Sequence, residues 1–98
     1  MSLKVRDLRP GMRRVNLAAK ISSSPSSRHV VQSGGLDHEI LELEIGDDSG
    51  SIKLVLWDDK ILPELKKDDH IKIENGFVTS FKGVWRINVG RYGTLTNV

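Results

Sequence analysis

Apolar residues recur at every second position in segment after segment of this chain, and that period admits β-strands and little else. Residues 13–21 place Val15, Leu17, Ala19 and Ile21 on one side, with Arg14, Asn16, Ala18 and Lys20 on the other. Residues 38–45 set Leu41, Leu43 and Ile45 against Glu42 and Glu44. After the turn-forming Gly46-Asp47-Asp48-Ser49-Gly50, residues 51–57 set Ile52, Leu54 and Leu56 against Lys53, Val55 and Trp57. A further strand starts at 70–75 with Ile71 and Ile73 inward, and a last one carries Trp85, Ile87 and Val89 in one phase. These five strands define an all-β chain.

The segments between strands read differently. Val5 and Leu8 suggest a short turn of helix or an irregular cap, stopped by Pro10-Gly11. Residues 22–37, rich in Ser and Gly and holding Arg28 and His29, read as a long flexible loop. Residues 58–67 read as a short helix, capped by Asp58 or Asp59, with Ile61, Leu62 and Leu65 buried and Pro63 keeping it short. Tyr92 to Leu95 leaves the sheet, with Leu95 tucked against it.

The stretch 76–91 carries the chemistry. It contains Phe77, Phe81, Trp85, Lys82, Arg86 and Arg91 and no acid, as two extended segments joined at Lys82-Gly83. Uninterrupted alternation from Ile73 would turn Phe77, Thr79 and Phe81 inward. A bulge at Asn75-Gly76 would reverse the phase and turn them outward, because one extra residue moves every later side chain to the other face. The bulge is the preferred reading, since Thr79 is a poor core residue. Trp57 is out of phase with its strand's core triplet and so faces outward. Trp85 shares the core phase of Ile87 and Val89 and is read as a structural ring. Outward aromatics beside isolated cations suit a single-stranded nucleic acid, whose bases stack on rings while its phosphates follow charge.

The formal net charge is +2, but it is unevenly spread. Residues 1–36 sum to +6, residues 37–75 to −7 and residues 76–98 to +3. That asymmetry suggests a basic and an acidic side. Charged residues at 29% and hydrophobic ones at 38% are ordinary for a soluble globular chain, and 98 residues suit one domain spanning 1–98. With no cysteine there is no disulfide and no thiolate metal site. No apolar run approaches a membrane span, no secretory leader is apparent, and an intracellular setting is expected. His29, His38 and His70 lack ligand spacing, and Asp47-Asp48 and Asp58-Asp59 have structural reasons at a turn and a helix start. No metal, cofactor or catalytic residue is expected, and the chain does not read as an enzyme.

Strand, long loop, hairpin, helix, hairpin fits a five-stranded Greek-key barrel with one short helix between strands three and four; a meander with a packed helix is the other arrangement the pattern allows. Val5-Arg6-Asp7-Leu8-Arg9-Pro10-Gly11-Met12, Ile45-Gly46-Asp47-Asp48-Ser49-Gly50-Ser51-Ile52 and Leu54-Val55-Leu56-Trp57 are distinctive together. So are Ile73 to Phe77, Phe81-Lys82-Gly83 and Asn88-Val89-Gly90-Arg91. On these motifs the chain resembles the OB-fold single-stranded DNA-binding proteins of archaeal and eukaryotic type, related to replication protein A. The resemblance implies that Trp57, Phe77 and Phe81 stack on bases. The aromatic Trp85 departs from the family's usual aliphatic residue, so no stacking role passes to it.

Arg86, Arg91 and Lys53 are the candidate phosphate contacts, with Lys82, Arg28, Arg13 and Arg14 as further ones and Asn88 as a candidate for a base edge. The expected function is binding of single-stranded DNA with low sequence specificity in replication, repair or recombination. The surface would be the strands at 38–45, 51–57 and 84–89, with loop 22–37 and turn 81–83 closing over it. The chain would act as a monomer or as one domain of a larger chain, with other replication or repair proteins as partners. An RNA-binding OB domain of the anticodon-recognising kind and a protein-interaction OB domain are the alternatives.

Overall fold

The computed structural model describes residues 3–23, 27–62 and 65–98, with residues 27–29 and 33 described by their backbone only. A turn of 3-10 helix at Val5–Asp7 precedes β1 (Val15–Ile21), β2 (Ser27–Ser33), β3 (Leu36–Asp47) and β4 (Gly50–Trp57). A second 3-10 turn at Asp58–Lys60 leads to β5 (His70–Phe81), β6 (Val84–Val89) and β7 (Thr94–Asn97). The strands hydrogen-bond in the order β1-β3-β4-β6-β5, and β5 returns to β1 to close the ring. Among the described strand pairs, β4–β6 alone is parallel. The five ring strands are the five that alternation singles out; β2 is added beside β3 and β7 beside β5.

Ring closure removes the free edges of a flat sheet and gives each strand one enclosed side. Ile21, Ile45, Leu54, Leu56, Ile73 and Ile87 fill the interior with essentially no exposure. Each such side chain contributes about 1.5–3 kcal/mol through removal from water. Leu65 belongs to the core, and the partly buried Ile61 and Leu62 pack against that core. At the N-terminus, Asp47 accepts the Val5 N–H at 2.9 Å and the Ser49 N–H at 2.7 Å. Burial pushes the Asp47 carboxyl up, but the Ser49 hydroxyl, those two N–H groups and nearby Lys4 outweigh it and hold its pKa below the usual carboxylate value.

The bulge lies where the phase argument puts it. Leu17 pairs with Ile73 but Val15 pairs with Gly76, so β5 carries one extra residue beside β1. Asn75 takes the left-handed conformation there, with φ 59°. Ile71 and Ile73 point inward before the bulge and Val78 after it, which leaves Phe77, Thr79 and Phe81 on the outer side.

Three expectations need correction. The segment 22–37 is not simply a loop: Ser27–Ser33 pairs in full with Leu36–Glu42 as an antiparallel extension. Gly34 (φ 62°) and Gly35 (φ 79°) make the two-residue turn between the strands, with the paired positive φ values that twisted hairpins favour. Residues 24–26 of that segment lie outside the described residues. Among the described residues of 58–67, the helix is one 3-10 turn at Asp58–Lys60. The Asp58 carboxylate is engaged by His38 and by the Glu39 N–H instead of capping a helix, and Leu62, preceding a proline, is disfavoured in α conformation. Pro63 itself lies outside the described residues. Finally, Trp85 has the core phase but is 43% exposed, because the β5–β6 hairpin overhangs the end of the barrel. Its ring lies under the Arg9 guanidinium, 5.8 Å from the centroid.

Candidate nucleic-acid interface

The register of the sheet lays the outward residues in rows. Glu42, Val55, Asn88 and Phe77 are successive cross-strand partners over β3, β4, β6 and β5. Glu44, Lys53, Arg86 and Thr79 form the next row, and Trp57 pairs with Ile40 at the end of β4. Within this outer face, Ile40, Val55 and Asn88 are buried and act as a floor. Trp57 and Phe77 are half-buried at its margins, while Phe81 stands 58% exposed at the hairpin tip.

Trp57 is held from two sides. Its Nε1–H donates to Asn88 Oδ1 at 3.2 Å, and the His38 ring meets it edge-on with centroids 5.6 Å apart. His38 is fixed in turn by Nδ1 donating to Asp58 Oδ2 at 2.7 Å. The His38 bond, followed by the Glu39 N–H, outweighs slight desolvation, and with the nearby His38 charge it holds the Asp58 pKa below the usual carboxylate value. The Phe77 ring packs over Gly90, where an added Cβ would stand 3.2 Å from Phe77 Cε1. A side chain at 90 would crowd the ring, which would have to give way slightly to admit it.

Asn88 does not present a free amide. It is 4% exposed, and its Nδ2 donates to Thr79 Oγ1 at 3.0 Å and to the Phe77 carbonyl at 3.3 Å. The expected base-edge group is instead an internal clamp joining β4, β5 and β6. Alternation gives the side a residue faces, not the depth at which it lies.

The cations fall into two kinds. Arg86 Nη1 donates to Glu42 Oε1 at 3.2 Å, and Lys53 Nζ lies 3.8 Å from Glu42 Oε2. The face therefore carries a shielded acid between two of its cations, although segment 76–91 has none. Arg86 Nε is buried without a hydrogen-bond partner. At the tip, Lys82 and Arg86 lie 5.4 and 5.8 Å from the Phe81 centroid. Arg91 is exposed on the far side of Phe77, its guanidinium 5.6 Å from the Tyr92 ring centroid. The backbone of Arg28 lies in β2 opposite Leu41, and its side chain lies outside the described residues. The geometry thus brings Trp57, Phe77, Phe81, Lys53, Arg86 and Lys82 together over one face, with Arg91 at its border.

Sequence reasoning missed Glu42 as a partner of the cations and His38 as the brace of Trp57. Both stand in the outward phase of β3, and only the strand register shows whom they meet. Among the described residues no group of His, Asp and Glu is arranged to hold a metal ion, and no helix is long and apolar enough to cross a membrane.

The pattern of the family described as "Single-stranded DNA binding protein Ssb-like, OB fold" matches residues 8–97. The chain belongs to that family. Over 90 residues it is 34% identical to the single-stranded DNA binding protein Ssb of Saccharolobus solfataricus, a match covering 92% of this chain and 60% of that protein. Over 72 residues it is 32% identical to the replication factor A of Methanothermobacter thermautotrophicus, covering 74% of this chain and 9% of that one. The chain thus spans only part of the length of these relatives. Among solved structures, the second OB-fold domain of replication protein A from Methanococcus maripaludis superimposes with a TM-score of 0.80. That match covers all of this chain and 95% of the other at 22% identity, and it establishes the OB fold. This Ssb-like chain carries Trp57, Phe77 and Phe81 on ring strands.

Proposed function

We propose that the outer face of β3, β4, β6 and β5 binds single-stranded DNA, stacking bases on Trp57, Phe77 and Phe81. The observation that carries this reading is the bulge at Asn75-Gly76, which turns two rings of β5 to the side on which Trp57 leaves β4. Lys53, Arg86, Lys82 and Arg91 hold phosphates, and Asn88 keeps the Trp57 ring in position. Glu42 keeps Arg86 and Lys53 ordered until phosphate competes for them. Each stacked base contributes about 1–3 kcal/mol. Three platforms therefore contribute about 3–9 kcal/mol, to which the phosphate contacts add.

Sequence preference is low, because every base has a stacking face and phosphate contacts read no sequence. Residues 1–98 act as one non-enzymatic binding unit, alone or within a longer protein. The unit protects unwound DNA inside the cell and hands it on to other proteins in replication, repair or recombination. Family membership and the names of the relatives support that setting.

The test is fluorescence anisotropy of labelled oligo-dT and oligo-U over a salt series. Binding of oligo-dT should weaken with a log–log salt slope of about −0.7 for each phosphate neutralised, and oligo-U should bind no tighter. Tighter binding of oligo-U would assign the face to RNA, and no binding of either near physiological salt would refute the proposal.

A further inference from the structure

Beyond Phe77, on the side away from Trp57, the outer face runs into a cleft of about 540 Å³ between residues 11–14, the bulge and the turn after β6. Arg13, Arg14, Arg91 and Tyr92 line it with Phe77, and no carboxylate does. None of these three arginines has an acidic partner among the described residues, unlike Lys53 and Arg86 beside Glu42. Tyr92 is 78% exposed, with Arg91 against its ring. An exposed ring beside arginines offers a base a stacking surface with cations at hand for its phosphates.

The walls are fixed before any ligand arrives. Gly11 N–H donates to the Val78 carbonyl and Val78 N–H to the Met12 carbonyl, each at 2.9 Å, which fastens the arginine segment to β5. The Asn75 N–H donates to Asn16 Oδ1 and Asn75 Nδ2 to the Tyr92 carbonyl, both at 3.0 Å. Arg14 (φ 55°) and Asn75 (φ 59°) are both left-handed, a conformation that costs a non-glycine residue energy and that these surroundings hold in place.

We infer that this cleft is a second nucleotide subsite: a single strand crossing the outer face continues past Phe77, sets its next base on Tyr92 and lays its phosphates against Arg13, Arg14 and Arg91. The chemistry recognised is a polyanionic chain bearing flat bases, and the volume falls within the range of about 300–1,000 Å³ usual for small-ligand sites. The inference rests on the reading of the outer face and extends it to residues that lie on no ring strand. The total site is then longer than the face alone, and the arginines supply electrostatic attraction that Glu42 does not offset.

Oligo-dT of about 4 and about 12 nucleotides, both within the range of site sizes of single OB folds, separates the two. The proteins compared are wild type, Tyr92→Ala and the double variant Arg13→Ser/Arg14→Gly, the glycine being free to keep the left-handed backbone. Thermal melting confirms that each is folded; if Tyr92→Ala is not, the double variant decides. Each variant should lose about tenfold affinity for the longer oligonucleotide and less than twofold for the shorter. The double variant should also bind the longer one with a salt slope shallower by about 0.7 per arginine. Wild-type affinity and slope in both variants would overturn the subsite while leaving the outer face standing. Equal losses at both lengths would overturn it as an extension. Failure of the wild type to bind either length would instead refute the reading of the outer face.

Discussion

At one end of the outer face, Trp57 is tied through Nε1–H to buried Asn88 and braced by His38. At the other end, Phe81 is 58% exposed, with Lys82 and Arg86 near its ring. Both are aromatic residues turned outward on ring strands, yet one is preorganised and the other is not. A clamped ring loses little freedom when a base stacks on it. A ring at a hairpin tip must be ordered in the same step, and that ordering offsets part of its stacking energy. The face is therefore expected to have a strong end and an adaptable end.

Removing the two rings separately breaks or sharpens this contrast. Trp57→Ala should cost about 2–3 kcal/mol of binding to oligo-dT, the upper part of the range for one stacked base, and Phe81→Ala about 1 kcal/mol. Anisotropy titrations of both variants check it; equal losses would show that the clamp confers no advantage. Asn88→Leu comes next. It leaves the Trp57 Nε1–H and the Phe77 carbonyl without their partner and should destabilise the fold by about 1–3 kcal/mol in urea titrations, weakening binding through Trp57 and little through Phe81.

The smallest effect is one of pH. Asp58 has a folded pKa below its ordinary value of about 3.9. Its support of the His38 brace is thus fully present above that value and is lost as the pH falls through the lower, folded one. Trp57 emission should shift in that acid window in the wild type and not in Asp58→Asn, while the exposed tip stays indifferent.

The alternation of Val15 to Ile21, Leu41 to Ile45 and Ile52 to Leu56 made the ring strands legible, because period two has one structural meaning. The phase conflict around Gly76 revealed the bulge, and with it the outward turn of Phe77 and Phe81. What stayed hidden depends on contacts far apart in sequence. The segment at Ser27–Ser33 reads as loop because its composition is poor in strand formers, yet β3 offers it a full ladder of backbone hydrogen bonds. Trp85 has the right phase but lies past the end of the barrel, and phase does not report where a barrel ends. Val55 and Asn88 are outward yet buried, since depth is set by the neighbouring strands. Glu42 stands opposite Val55, meets Lys53 on the diagonal across the β3–β4 pair and reaches Arg86 one strand further on, a relation that only the β3–β4 and β4–β6 registers make visible.

The most direct test of the central claim uses Trp85→Phe, in which Trp57 is the only indole left of the two in the chain. Titration with oligo-dT should quench its emission to saturation, with the same midpoint as the anisotropy of the labelled oligonucleotide. Binding seen by anisotropy with Trp57 emission unchanged would contradict stacking on this face.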